Sequence, residues 1–270
     1  MSVHASAILV SWNTRDELLR ALGSLKAARL SLEVVVVDNA STDGSAAAVR
    51  AGHPNVSLIE NDENLGFGRA CNQGIRAGSA PHVLLLNSDA ELRPGALEAM
   101  AEILDQHAEV AVVGPRTRYA DGAIQVSWGR FPGLLAEWHQ RRLVLGTEAR
   151  LPAALEHAEQ VASREHEPDW VSGSCWLARR EALLAVGLFD EGFFLYEEDI
   201  DLCLRLRQAG WRIVFTPRAE VVHQQGVSKA RSSGRALAEY HRSHLRYYRK
   251  HNNPLSVAAL WLSQRLRGIR

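Results

Sequence analysis

Over the first 115 positions, short unbroken apolar runs alternate with stretches where apolar residues recur every three or four positions. The runs at 5–11, 33–37, 56–60, 82–86 and 110–113 are expected strands, short and rich in β-branched residues. The stretches between them are expected helices. Over 16–28, Leu18, Leu19, Leu22 and Leu25 fall on one side, and similar patterns lead through Val49 and cover 68–77 and 94–106. Strand–helix alternation of this kind predicts an α/β fold, a mostly parallel sheet flanked by helices.

The pattern weakens over 116–168, which mixes aromatics, Gly, Pro and charge around an Ala/Glu-rich piece at 151–161. The expectation there is strands carrying a long insertion. Order returns with a strand at 170–178, helices at 180–186 and 200–208, and a strand at 211–215. A basic helix at 235–250 and a further segment at 255–266 form a C-terminal helical extension. Three units follow: 1–115, 116–227 and the tail 228–270.

Composition changes this picture in two places. The formal net charge is zero, yet the tail holds ten Lys or Arg against one acid, Glu239. A basic tail on an acidic body is expected to meet something anionic. Cys71, Cys175 and Cys203 are scattered with no C-x-x-C pair, which fits reduced thiols in a cytoplasmic protein rather than a zinc knuckle or disulfide framework. No apolar run approaches the ~20 residues of a membrane span.

The polar residues collect where the expected strands end. In open α/β sheets, that edge is where ligands bind. Ser11 and Asn13 follow the first strand, and Asp38, Asn39, Ser41 and Asp43 the second. Asn61 and Asn64 follow the third, and Asn87, Ser88 and Asp89 the fourth. Each cluster alone is ordinary turn or cap chemistry; four on one edge point to a ligand. A carboxylate at Asp89 can hold a hard divalent cation that bridges two phosphates, or Asp89 and Glu91 can cap the next helix. If the chain stays extended, Asn87, Asp89 and Glu91 share a face. The run Glu197-Glu198-Asp199-Ile200-Asp201 suits a helix N-terminus, with Asp201 able to pair with Arg205. The aromatic approach before it could equally desolvate an acid into a general base. His223 is either a structural imidazole or a partner for a metal at Asp89. Gly66-Phe67-Gly68 lacks the third Gly of a dinucleotide fingerprint, and no P-loop motif is present.

Read in order, these segments resemble the inverting family 2 glycosyltransferases of GT-A fold, in a bacterial rhamnosyltransferase-like branch. The matching stretches are Val10-Ser11-Trp12-Asn13, Val36-Val37-Asp38-Asn39-Ala40-Ser41-Thr42-Asp43-Gly44, Glu63-Asn64-Leu65-Gly66-Phe67-Gly68 and Leu86-Asn87-Ser88-Asp89. Later come Val171-Ser172-Gly173-Ser174, Phe189-Asp190-Glu191-Gly192-Phe193-Phe194, Glu197-Glu198-Asp199-Ile200-Asp201 and Val222-His223.

The resemblance implies a nucleotide-sugar-binding half at 1–115 and an acceptor-binding half at 116–227. Asp38 would take the base, with Ser11 and Asn13 beside it. Asn64, Gly66, Phe67 and Asn72 would support the nucleotide and diphosphate. Asn87-Ser88-Asp89 stands where relatives carry an Asp-x-Asp metal motif, so the first acid is missing. Mg²⁺ or Mn²⁺ would rest on Asp89 with His223 or Glu91. Asp199 would be the base, and Glu198, Trp170 and Gly173 would face the acceptor. The expected donor is dTDP-rhamnose, with UDP-sugars behind it, and the acceptor a glycan or lipid-linked glycan. A sugar-phosphate nucleotidyltransferase would need a Gly-rich basic loop after the first strand, where Ser11-Trp12-Asn13-Thr14 has no Gly. A catalytically silent nucleotide-sugar-binding protein is the other class. For the tail, three fates stay open: an anionic membrane surface at the inner face of the cell membrane, packing on the body, or a homodimer contact. Nucleic acid is not expected, because no recognition motif accompanies the charge.

Overall fold

The computed structural model describes residues 3–224 and 233–266. Four strands, β1 (Ala5–Ser11), β2 (Leu32–Asp38), β3 (Ser57–Glu60) and β4 (His82–Leu86), pair in parallel in the order β3-β2-β1-β4. They are linked by α1 (Arg15–Ser24), α2 (Ser45–Gly52) and α3 (Phe67–Ala77). After β4 come β5 (Ala90–Leu92), α4 (Ala96–Gln106) and β6 (Val110–Arg118). The sheet does not continue in simple parallel order. β10 (Cys175–Arg179) runs antiparallel between β4 and β6, and β11 (Arg212–His223) then pairs parallel with β6 and antiparallel with β5. A strand from the second half is thus stitched into the first.

Alternation along the strands explains why both faces are covered. On β4, Leu84 and Leu86 join a core with α1 and α4, while Val83 and Leu85 join the opposite core with α3 and α8 (Glu198–Gln208). All four are fully buried, each contributing roughly 1.5–3 kcal/mol. Helix α3 lies so close to β1 that a Cβ on Gly74 would stand 2.4 Å from Ile8 Cγ2. Any larger residue there would push the helix off the sheet.

The 116–168 stretch departs from expectation. It contains two small strands, β7 (Ile124–Gln125) and β8 (Trp128–Gly129), followed by two helices, α5 (Leu134–Glu148) and α6 (Pro152–Ala162). The helical period is masked because the apolar residues of α5 do not gather on one stripe. Leu143 packs inward while Trp138 and Leu145 are about half exposed. The 170–178 segment splits into β9 (Trp170–Val171), paired with β8, and β10. Helix α7 (Arg180–Ala185) follows, and β11 runs eight residues beyond 215 through an irregularity between Thr216 and Glu220.

The tail forms α9 (Ser233–His251) and α10 (Pro254–Leu266); its residues 228–232 and 267–270 lie outside the described residues. Helix α9 packs on the body. Tyr247 and Tyr248 are buried with Phe193, and Arg246 and Lys250 pair with Asp190. No helix among the described residues is long and apolar enough to cross a membrane.

Candidate active site

A cavity of about 430 Å³ opens at the carboxyl ends of β1 and β4, within the range of small-ligand sites. Its walls come from both halves of the sheet and from α9, through Ala236, Glu239 and Tyr240. The tail therefore forms part of the site. Its basic pattern was legible in the sequence, but its place against the cavity was not.

At the carboxyl ends of β1, β2 and β3, loops are fastened to one another by side-chain hydrogen bonds. In register, Ser11 faces Asp38 across β1 and β2. Asp38 is almost fully buried, and its Oδ2 accepts the Ser41 N–H at 2.9 Å. Its Oδ1 is buried with no partner among the described residues. The Asn13 N–H donates to Ser41 Oγ, and Asn13 Oδ1 accepts the Thr42 N–H. Ser41 and Thr42 thus tie two loops together rather than cap α2, whose N-cap is Gly44; Asp43, just before it, accepts the Ser45 N–H. Asn39, Asn64, Gly66 and Phe67 line the cavity. Asn39 donates to Asn64 Oδ1 and the Gly66 carbonyl, and Asn61 and Gln73 extend the network. Gly66 has φ +87°, and a Cβ there would meet the Phe194 carbonyl at 2.5 Å. Ser11 is wholly buried, its hydroxyl joined through Thr14 to Ser88. Asn72 faces the fold instead of the cavity: its amide is spent on the Phe189 backbone and Glu191.

The chain does not stay extended after β4. A turn in which the Ala90 N–H bonds the Asn87 carbonyl redirects it. Asn87 and Asp89 still reach the cavity. Glu91 does not: it lies 3.5 Å from Arg20 of α1 and accepts from Gln224. Nor do these acids cap α4, whose N-cap is Gly95 with no side-chain bond. Opposite Asp89, the end of β11 brings His223 Nε2 to 3.1 Å from Asp89 Oδ1, and Nδ1 lies 3.1 Å from Gln125 Oε1. With Nδ1–H donated to Gln125, Nε2 keeps a lone pair facing a carboxylate oxygen. Two acceptors so placed fit a shared cation, and their separation matches the ~3 Å between adjacent ligands on an octahedral ion with bonds of about 2.1 Å. The grouping His4, His82 and Asp105 could also hold a metal, but it lies at the opposite, N-terminal ends of β1 and β4.

The acidic run sits across the cavity. Tyr196 and Glu197 both take left-handed backbone (φ +68° and +67°) just before α8, conformations costing on the order of 1 kcal/mol or more each. This bend buries Glu197, whose Oε1 lies 2.8 Å from His244 Nδ1 on α9. The other ring nitrogen of His244 meets Glu137 of α5. Burial disfavours the charged ring, but these two carboxylates outweigh it and raise His244 to about 9. Glu198 is buried, and burial followed by the neighbouring Asp199 charge pushes its carboxyl well above the usual range. Asp199 is raised by burial to about 6, against the lowering hydrogen bond from the Gly173 N–H at 2.7 Å. Both of these adjacent acids are shifted upward, and Asp199, at about 6, is ionised near neutral pH. Asp201 leaves the site: it pairs with Arg205, as its spacing predicted, and also with Lys250 and His251. Trp170 and Gly173 line the cavity beside Asp199.

A largely parallel sheet with polar loops at its strand ends, joined to a second half that adds an acidic helix start and sets His223 against Asp89, has the architecture of the GT-A glycosyltransferases. The glycosyl transferase family 2 model matches residues 6–187, and the chain belongs to that family. It is 35% identical over 250 residues to an N-acetylglucosaminyl-diphospho-decaprenol L-rhamnosyltransferase of Mycobacterium tuberculosis, covering 87% of this chain and 81% of the relative. A low-salt glycan biosynthesis hexosyltransferase of Haloferax volcanii is 25% identical over 231 residues, 84% of this chain and 69% of the relative. Among solved structures, a mannosyltransferase from Pyrobaculum calidifontis in complex with GDP-Man and Mn²⁺ superposes with a TM-score of 0.62. It is 19% identical, with 98% of this chain and 76% of that one covered. S. aureus TarS 1-349 in complex with UDP-GlcNAc gives 0.58 at 19% identity, over 83% and 59%.

Proposed function

We propose that this chain transfers L-rhamnose from dTDP-L-rhamnose to a sugar hydroxyl of a lipid-linked glycan, with inversion at the anomeric carbon. One observation carries the reading. A carboxylate raised to about 6 at Asp199 shares a cavity with the Asp89–His223 pair, so a base and a diphosphate-side charge site meet at one place. The mycobacterial relative supplies the sugar and the acceptor class. Asp38 Oδ1 supplies the base: a buried lone acceptor suits the N3–H of thymine, and equally that of uracil.

The residues then act as follows. Asp38 and the Asn39–Asn64 network orient the nucleotide. Asp199 accepts the proton of the acceptor hydroxyl as its oxygen bonds to the anomeric carbon. The bond from that carbon to the diphosphate oxygen breaks on the opposite face, and the electron pair leaves with the nucleoside diphosphate. Glu198, beside Asp199 in the same cavity, faces the acceptor. The Gly173 N–H holds Asp199 in place. Asp89 and His223 would hold Mg²⁺ or Mn²⁺, which when bound neutralises charge on the departing diphosphate. A lipid-linked acceptor brings the protein to the inner face of the cell membrane.

The test supplies purified protein and Mg²⁺ or Mn²⁺ with dTDP-L-rhamnose or UDP-sugars, and a polyprenyl-diphospho-N-acetylglucosamine acceptor. The expected result is a rhamnosylated product of inverted configuration by NMR. Transfer only from a UDP-sugar would replace the donor assignment, and product of retained configuration would overturn the mechanism.

A further inference from the structure

A second cavity, of about 930 Å³, lies between α5 and α6, and the mechanism above does not use it. The two helices form a hairpin pinned near its turn, where a Cβ on Gly146 would come within 2.7 Å of the Ala154 methyl. The cleft is lined on one side by Arg130, His139, Arg142 and Leu143, and on the other by Leu151 and His157. No acid lines it. Among the described residues, neither Arg130 nor Arg142 has a carboxylate partner; Arg142 lies over the half-exposed Trp138 ring at 4.7 Å. Two guanidinium groups with no carboxylate partner thus stand beside exposed apolar surface, with Arg142 stacked on Trp138. The combination suits a ligand that is doubly anionic at one point and hydrocarbon beyond it.

The cleft is also tied to the catalytic cavity through the small β8–β9 sheet. Trp170 lines the catalytic cavity, and its indole N–H donates to the Arg130 carbonyl at 2.9 Å. Gln140, on the cleft side, donates to the Trp128 carbonyl at 2.7 Å. A substrate with a sugar joined through a diphosphate to a long lipid needs three surfaces in this order: a sugar pocket, cations beside it, and an apolar trough beyond.

We propose that the α5–α6 cleft holds the diphosphate and first isoprene units of the acceptor whose sugar end occupies the catalytic cavity. This rests on the lipid-diphosphate acceptor assigned above. Arg130 and Arg142 take the diphosphate oxygens, and Leu143 and Leu151 meet the hydrocarbon.

The test compares two acceptors, farnesyl-diphospho-N-acetylglucosamine and a soluble alkyl N-acetylglucosaminide lacking the diphosphate. Three proteins are used: the native chain, the double variant Arg130→Gln/Arg142→Gln, and Leu151→Glu, a substitution at a half-exposed position. The expected result is a rise of about tenfold or more in KM for the diphospholipid acceptor in both variants, with KM for the donor and for the soluble acceptor unchanged. Farnesyl diphosphate alone should compete with the diphospholipid acceptor in the native chain and lose that competition in the double variant. Unchanged KM in both variants would overturn the cleft while leaving the acceptor reading intact. Equal loss with both acceptors would also overturn it, as would parallel loss of binding to plain phosphatidylglycerol vesicles, which would mark a general lipid contact. Transfer by the native chain to neither acceptor removes the acceptor reading, and the cleft assignment falls with it.

Discussion

The two sides of the catalytic cavity are built on opposite principles. On the proposed donor side, Asn13, Asn39, Ser41, Asn61, Asn64 and Gln73 satisfy one another across loops, and Asp38 Oδ1 is left buried with no partner among the described residues. On the proposed acceptor side, Glu197, Glu198 and Glu239 each keep a buried oxygen with no partner among the described residues. Charge there is offset by His244, which pairs with both Glu197 and Glu137. A prefastened cradle binds a ground state with little reorganisation. A crowd of carboxylates is costly to bury, and what it supplies is a base whose proton affinity sits near working pH. Donor binding and chemistry should therefore be separable by mutation.

The sharpest break is Asp199→Asn. Removing the base while keeping shape should lower kcat by about a thousandfold, while calorimetry shows nucleoside diphosphate binding unchanged. Turnover near the native rate would take Asp199 out of the reaction. Next in size is Asp89→Ala, which leaves His223 alone opposite the diphosphate. Activity should fall by about a hundredfold, and the remainder should no longer respond to Mn²⁺ or Mg²⁺ titration. A normal metal response would move the cation elsewhere, for instance to the His4, His82 and Asp105 grouping. On the donor side, Asp38→Asn should raise the donor KM by about tenfold, because an amide holds one hydrogen bond to the base less strongly than a carboxylate. kcat should hold. A fall in kcat with KM unchanged would mean the two sides are not separable.

How much of this the sequence discloses follows the same divide. Each strand of the donor half is a short apolar run whose end bears a polar cluster, and β4 occupies 82–86 as the run predicts. Local chemistry decides there, so local reading succeeds. It fails where contacts are distant. The turn after Asn87 carries Glu91 out of reach because β5 must pair with β11, more than a hundred residues away. Asn72 was expected to support the diphosphate but serves the backbone at Phe189. The α5–α6 hairpin was hidden by a scattered apolar pattern. His244 reads in sequence as one more member of a basic helix, and only the fold puts it between Glu137 and Glu197. The tail's three open fates narrow for the same reason. Arg246, Lys250 and His251 are occupied by Asp190 and Asp201, so α9 packs on the body, while Leu255, Leu262 and Leu266 of α10 remain exposed.

The smallest expected effect is the most telling about the acceptor side. His244 is faced by Glu137 from α5 with Arg141 near it, by Glu197 from the approach to α8, and by Tyr240 and Tyr248 of its own helix. Charged, it offsets Glu197, one of the groups that raises Asp199. His244→Gln removes that charge. The Asp199 carboxyl should then rise further, and the acid limb of kcat/KM, expected near pH 6 in the native chain, should move up by about half a unit to one unit. A loss of rate at every pH with the limb fixed would make His244 a structural residue only. Stability gives a second reading with the opposite sense of pH. The folded pKa of His244 lies above its ordinary value, about 9 against 6.5. Its contribution is therefore complete below about pH 6.5 and is lost as pH rises through 9. The native melting temperature should fall by on the order of 5 °C between pH 7 and pH 9.5, and the slope should flatten in His244→Gln. An equal slope in both proteins would place the titration on another group and detach α9 from the electrostatics of the base.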